Sequence, residues 1–231
     1  MTKVKIVEKP SPNFDERGRA IDMIILHYTG MRTGKEALDR LCDPEAKVSA
    51  HYLVEEDGTI FALVPEEKRA WHAGVGAWKG EADLNARSIG VEIVNPGHEF
   101  GYRKFPKRQI DMVVALVKEI AGRHEIDPRL VLGHSDVAPQ RKEDPGELFP
   151  WGKLAAEGLA VGRYRGGEDP SVSYEDALSM LRAIGYDAPD KAHAAALVAF
   201  QRRFCPEALA QGFSPLTKAA LKWTLERMGQ G

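Results

Sequence analysis

Apolar positions along the chain repeat with two periods. Residues 21–26, 88–94 and 130–132 are short runs of β-favouring residues, and each reads as a buried strand. Residues 51–54 and 59–64 flank Glu55-Glu56-Asp57-Gly58, which predicts a β-hairpin turning at Asp57-Gly58. Helical spacing is clearest over residues 108–124, where Ile110, Val113, Val114, Val117, Ile120 and Ala121 form one apolar stripe. A shorter helix is expected through Leu38 and Leu41, opened by the capping-box pair Thr33 and Glu36 and ended at Pro44. Residues 71–80, rich in Gly and Trp, read as a shaped loop, and residues 136–146 as a polar one. Strands alternating with helices predict an α/β domain.

The pattern changes near residue 162. Residues 162–170 are Gly-rich and charged with no apolar period, as in a linker. Three helical patterns follow, carried by Ala177, Leu178, Leu181 and Ile184, then by Ala194, Leu197, Phe200 and Phe204, then by Leu221, Leu225 and Met228. The expected organisation is a larger domain over residues 1–161, a linker over 162–172, and a three-helix domain over 173–231.

Composition narrows the class. The 231 residues are 43% hydrophobic and 29% charged, as in an ordinary globular protein. Thirty-two basic and 34 acidic residues leave a net charge of -2, which gives no push toward nucleic acid or an anionic membrane. Cys42 and Cys205 form neither a CxxC pair nor a disulfide framework, so two partly buried thiols in a reducing compartment are expected. The longest early apolar run, residues 23–26, is too short for a signal peptide or a membrane span. The sequence as written therefore predicts a cytoplasmic protein; for a chain trimmed of its leader that expectation lapses and the envelope is open.

Candidate chemistry centres on two of the seven histidines. His27 and His134 each sit where an apolar strand meets a glycine-containing loop, the place where α/β folds put ligands. Two such imidazoles can share a zinc ion, which needs a third protein ligand and keeps one position open when catalytic. Asp144, in the loop after His134 and fenced by Pro139 and Pro145, is the natural third, although position alone leaves Asp136 or Glu143 as substitutes. Glu92 is the odd residue of an apolar strand: either an edge carboxylate facing water or a general base whose pKa burial raises. Lys142, on its own, reads as a solvated loop residue, and His51 has no assigned role. His124, near a helix C-terminus, and His98 and His193, without acidic or glycine-rich context, carry no expected chemistry.

Leu26-His27-Tyr28-Thr29, Ser49-Ala50-His51-Tyr52-Leu53-Val54, Arg69-Ala70-Trp71-His72-Ala73-Gly74, Ser88-Ile89-Gly90-Val91-Glu92 and the run from Gly133-His134-Ser135 to Glu143-Asp144-Pro145-Gly146 together resemble the zinc N-acetylmuramoyl-L-alanine amidases. The resemblance covers roughly residues 20–155. It implies a mixed central sheet flanked by helices, Zn2+ held by His27, His134 and Asp144, a catalytic carboxylate at Glu92 and a supporting cation at Lys142. Related phage amidases use Cys as the third ligand, where this chain has Asp144, and recognition proteins that only bind have lost that ligand. Trp71 and His72 are expected either to line the substrate groove or to pack on the core, and Arg87 is a candidate for a stem-peptide carboxylate. Leu181-Arg182-Ala183-Ile184-Gly185-Tyr186, Ala199-Phe200-Gln201-Arg202-Arg203-Phe204 and Ser214-Pro215-Leu216-Thr217 resemble a three-helix peptidoglycan-binding module. The implied function is hydrolysis of the amide between the lactyl group of (anhydro-)N-acetylmuramic acid and L-alanine, by a monomer whose partners are peptidoglycan or anhydro-muropeptide fragments, with no nucleic acid or membrane. Two other readings are a non-catalytic peptidoglycan-binding protein and a zinc peptidase cutting within the stem; the absence of HExxH argues against the common zinc peptidases.

Overall fold

A computed structural model describes residues 6–189 and 193–229. Residues 1–5, 190–192 and 230–231, which fall within the two expected domains, lie outside the described residues. In chain order the elements are β1 (Ile6–Glu8), β2 (Phe14–Glu16), β3 (Met23–Tyr28), α1 (Gly34–Cys42), β4 (Tyr52–Val54), β5 (Ile60–Ala62), β6 (Lys68–Ala70), α2 (Leu84–Arg87), β7 (Ser88–Ile93), α3 (Gly97–Phe100), α4 (Lys107–His124), β8 (Val131–Gly133), α5 (His134–Val137), α6 (Trp151–Ala156), α7 (Tyr174–Ile184), α8 (His193–Phe204) and α9 (Pro215–Met228). Six strands form a mixed sheet in the order β1-β5-β4-β7-β3-β8, and β2 pairs with β6 apart from it. The hairpin forms as expected: β4 and β5 are antiparallel, and Gly58 takes φ +86° in the turn, a region that suits glycine.

The three apolar runs become β3, β7 and β8, adjacent and parallel. Their side chains divide by a period of two. Ile24, Leu26, Ile89, Val91, Ile93 and Val131 enter one core with α4 and α6, while Met23, Ile25 and Leu132 enter another with the C-terminal helices. Both faces of the sheet are covered, so the strands read as continuous apolar runs. On α4, Ile110, Val113, Val117 and Ile120 of the expected stripe are buried, Val114 and Ala121 are half-buried, and Leu116, outside the expected stripe, is fully buried. Thr33 caps α1 through its side chain, accepting from Glu36 N at 3.1 Å.

Residues 162–172 contain neither helix nor strand but are held along their length. Tyr164 N donates to Phe204 O, Asp169 N donates to Pro215 O, and Val172 is buried in the core of the C-terminal helices. Both cysteines are free thiols. Among the described residues, no helix is long and apolar enough to cross a membrane.

Candidate active site

Strand register brings the chemistry together. His27 lies opposite Glu92, and Leu26 lies opposite Gly133, so His134 emerges one residue beyond β8 at the same end of the sheet. All three belong to the face carrying Met23 and Ile25, since positions 23, 25 and 27 alternate to one side, as do 88, 90 and 92. Ser88, Gly90 and Glu92 leave that face small and polar where it meets the loops. The strand β3 runs on through His27 to Tyr28, two residues beyond its expected end, and so the first histidine is delivered by a fixed strand rather than by a loop.

Three donor atoms converge. His27 Nδ1 and His134 Nδ1 are 2.9 Å apart, and each lies 3.1 Å from Asp144 Oδ2. All three residues are buried. The other two acids of the loop are engaged by other partners. Asp136 accepts from Gly133 N at 2.7 Å and Tyr186 Oη at 2.6 Å, and Glu143 accepts from Arg202 at 3.0 Å. Burial, then repulsion from His134, lowers the His27 pKa to about 4, so its ring is neutral near pH 7. Burial opposes ionisation of Asp144, but the charges and hydrogen bonds of His134 and His27 outweigh it and hold the carboxyl well below its usual range. Two imidazoles and one carboxylate are a donor set that zinc takes in catalytic sites.

Glu92 stands on β7, a central strand between β4 and β3, so it is not an edge carboxylate. Its Oε2 is buried without a hydrogen-bond partner. Burial, reinforced by the negative charge of Asp144, pushes its pKa well above the ordinary carboxylate value, with Lys142 acting in the other direction. Glu92, Lys142, Trp71, His72 and the three donors line one cleft of about 390 Å3, a size that suits a small ligand. Arg87 lies outside it. A full strand, Ser88 to Ile93, separates Arg87 from this end of the sheet, and its guanidinium forks onto Asp22 and also meets Glu81 at 3.0 Å.

Trp71 is held at the cleft by Trp71 N donating to Ser49 Oγ at 2.8 Å. His72 faces both ways: its ring lines the cleft and its Nδ1 lies 3.1 Å behind His27 Nε2. Burial, then the neighbouring His27 and His51, lowers its pKa well below the ordinary histidine value. Sequence reasoning assigned nothing to Asn85, Ser88, Arg17 or Arg141, yet each touches this region. Arg141 Nη2 donates to Ala73 O at 3.0 Å, tying the 71–80 loop to the loop that carries Lys142 and Asp144. His51 is fully buried with Nδ1 accepting from Gly90 N at 3.0 Å, and burial beside Arg17 lowers its pKa to about 3. His51, Ser88 and Arg141 fall within the motifs that carry the resemblance and Asn85 and Arg17 do not, but a motif names no contact, and only the fold brings them together.

Residues 17–147 match the protein family described as N-acetylmuramoyl-L-alanine amidase. The chain is similar to the N-acetylmuramoyl-L-alanine amidase AmiD of Escherichia coli, at 36% identity over 97% of this chain and 92% of that protein. The solved complex of AmiD with the substrate anhydro-N-acetylmuramic acid-L-Ala-D-gamma-Glu-L-Lys superposes with a TM-score of 0.81, covering 94% of this chain and 92% of that one. AmpDH3 of Pseudomonas aeruginosa in complex with anhydromuramic pentapeptide is also similar, with a TM-score of 0.79, 30% identity and 96% of each chain covered. The 1,6-anhydro-N-acetylmuramyl-L-alanine amidase AmpD of Enterobacter cloacae is 37% identical, but over 64% of this chain and 87% of its own length. Taken with the geometry of the cleft, these likenesses establish that the chain belongs to the N-acetylmuramoyl-L-alanine amidase family.

Proposed function

We propose that this protein hydrolyses the amide joining the lactyl group of N-acetylmuramic acid, including its anhydro form, to the L-alanine of a peptidoglycan stem, in recycling or turnover of the wall. The observation that carries the reading is the convergence of His27 Nδ1, His134 Nδ1 and Asp144 Oδ2 within 2.9–3.1 Å, beside the unpartnered Glu92 Oε2. These three residues would hold Zn2+. When bound, the metal supplies Lewis acidity, polarising an oxygen that faces it and making water a stronger acid.

Glu92 is the proton carrier. Its raised pKa makes it a good acceptor for a proton of the attacking water as the water oxygen bonds to the lactyl carbonyl carbon. Glu92 then gives that proton to the alanine nitrogen as the C–N bond breaks, releasing a lactyl carboxylic acid and a free amine, and the acid's proton, the second from the water, passes to the amine to leave a carboxylate and an ammonium. Lys142, on the same cleft, offers its ammonium to the oxygen on which negative charge develops. Trp71 and His72 form part of the wall against which the substrate lies. Arg87, with its donors taken by Asp22 and Glu81, has no part in this scheme. One chain supplies every residue named, so the proposed working unit is a monomer. Residues 1–161 form the proposed catalytic domain, and residues 173–231, beyond the 162–172 connection, are read as a peptidoglycan-binding-like domain.

Product analysis tests this directly. The zinc-loaded protein is incubated in parallel with an anhydro-muropeptide and with intact sacculi, and the products are weighed by mass spectrometry. The expected products are a free stem peptide beginning at L-alanine and a peptide-free (anhydro-)muramic acid residue. Fragments cut inside the stem would identify a peptidase instead, and retention of uncut substrate would identify a binding protein.

A further inference from the structure

Hydrogen-bond logic fixes more of this site than its three donor atoms. A backbone carbonyl only accepts. His134 Nε2 lies 2.9 Å from Ala73 O, so that nitrogen carries the ring proton and Nδ1 presents a bare lone pair. His27 is reached by a longer route. Ser88 Oγ donates to Leu84 O at 2.6 Å, so its one proton is committed there. His72 Nε2 stands 3.3 Å from Ser88 Oγ and therefore donates to it. In a neutral ring the His72 Nδ1 is then the acceptor, and it faces His27 Nε2 at 3.1 Å. His27 Nε2 donates, which leaves its Nδ1 bare as well. With a cation held at the two Nδ1 atoms, 2.9 Å apart, the carbonyls of Ala73 and Leu84 thus keep both rings in the tautomer that turns the Nδ1 lone pairs to it; without one, Asp144 Oδ2, 3.1 Å from each, takes an Nδ1 proton equally well.

Both immediate acceptors belong to one dipeptide, His72-Ala73, and one side chain clamps it. Asn85 Oδ1 accepts from His72 N at 3.1 Å and from Ala73 N at 2.8 Å. Asn85 is itself buried, in the turn that also carries Ser88. Arg17 fastens that turn from beneath, its Nη1 donating to the carbonyls of Asn85, Ala86 and Ser88 at 3.1, 3.1 and 2.9 Å. Gly90 makes the room: a Cβ there would lie 2.4–2.6 Å from the His72 ring.

We infer that Asn85 is a positioning residue of the metal centre, which orients both His27 and His134 by clamping His72-Ala73, and that Ser88 sets the tautomer of His27 through His72. The inference rests on reading His27, His134 and Asp144 as metal ligands. Partners behind ligating histidines fix ring orientation and tautomer, and their loss typically costs about 10–100-fold in metal affinity.

The test uses the full chain, with zinc affinity measured by chelator competition. Asn85→Ala and Ser88→Ala are expected to bind zinc about 10–100-fold more weakly, whereas Asn85→Asp, which keeps an acceptor oxygen, stays close to the unaltered chain. If Asn85→Ala does not fold, Ser88→Ala decides alone, since it removes one hydroxyl and leaves the clamp intact. Folded Asn85→Ala or Ser88→Ala with full affinity would overturn the inference. A second arm reads the zinc-loaded chain by long-range proton–nitrogen correlation of the histidine rings. His27, His72 and His134 are expected as Nε2-protonated tautomers, and Nδ1-protonated His27 or His134 would overturn the inference. An unaltered chain that binds no zinc refutes the ligand reading, whereas an unaltered chain that binds zinc no better than folded Asn85→Ala and Ser88→Ala refutes the positioning role alone.

Discussion

At the scale of single residues, Glu92 holds two opposed properties. It is the proposed proton carrier, and it is a carboxylate whose Oε2 has no partner in a buried setting. A group with a raised folded-state pKa stabilises the fold fully below its unfolded value and loses that contribution as pH rises through the folded value. The ordinary value for this carboxyl is 4.5. The metal-free protein should therefore lose stability through Glu92 as pH climbs from there. Glu92→Gln has no such titration. It is expected to cut turnover by about 10²–10⁴-fold and, in the metal-free state near neutral pH, to be more stable than the unaltered chain by about 1–3 kcal/mol. Urea unfolding of both proteins across pH checks this. The stability gap should close toward the acid end, and a gap that ignores pH would refute the assigned burial cost.

At the scale of elements, the strands and the long helix were legible because the sheet is covered on both faces and α4 on one. Burial on two faces writes continuous apolar runs, and burial on one writes the stripe through Ile110, Val113, Val117 and Ile120. Short pieces such as β1, β2, α2 and α5 are three or four residues long, too few to show a period. The choice among Asp136, Glu143 and Asp144 was illegible for a different reason. It depends on contacts from Tyr186 and Arg202, about 40–60 positions away, and local spacing carries no record of them. Gln109 makes the same point on α4. It adjoins the apolar stripe yet is 0% exposed, and its Nε2 donates to Val54 O at 3.1 Å and Val94 O at 2.9 Å, at the ends of β4 and just past β7. A polar residue beside an apolar stripe reads as surface; here it fastens the helix to two strand ends. Gln109→Leu is expected to destabilise the fold by about 1–3 kcal/mol, because buried carbonyls lose a donor. Denaturant melts with an unchanged slope and a lower midpoint are the expected signature, and an unchanged midpoint would show that the helix does not need this fastening.

At the scale of the whole molecule, the C-terminal helices complete the sheet rather than hang from it. Met23, Ile25 and Leu132 share one apolar cluster with Leu181, Ile184, Phe200 and Leu221. Two polar contacts cross the same junction beside the metal-ligand candidates. Tyr186 Oη donates to Asp136 Oδ1 at 2.6 Å, two residues after His134, and Arg202 meets Glu143, next to Asp144, at 3.0 Å. The Arg203 guanidinium carbon sits over Trp151, 3.0 Å from the ring centroid, and joins α8 to α6. In this protein a shared core couples the two parts, and they should unfold together. Calorimetry of the full chain is expected to give one transition. Tyr186→Phe leaves the buried Asp136 short of a donor, at about 1–3 kcal/mol, which for a chain of this size lowers the whole transition by about 2–10 °C. Separate peaks, with only one moved by the substitution, would mean that the helices and the sheet are independent units and that the junction is a contact without cooperative weight. A single peak that moves as one places the stability of the amidase cleft partly in the hands of a hydroxyl 50 residues away in sequence from the carboxylate it meets.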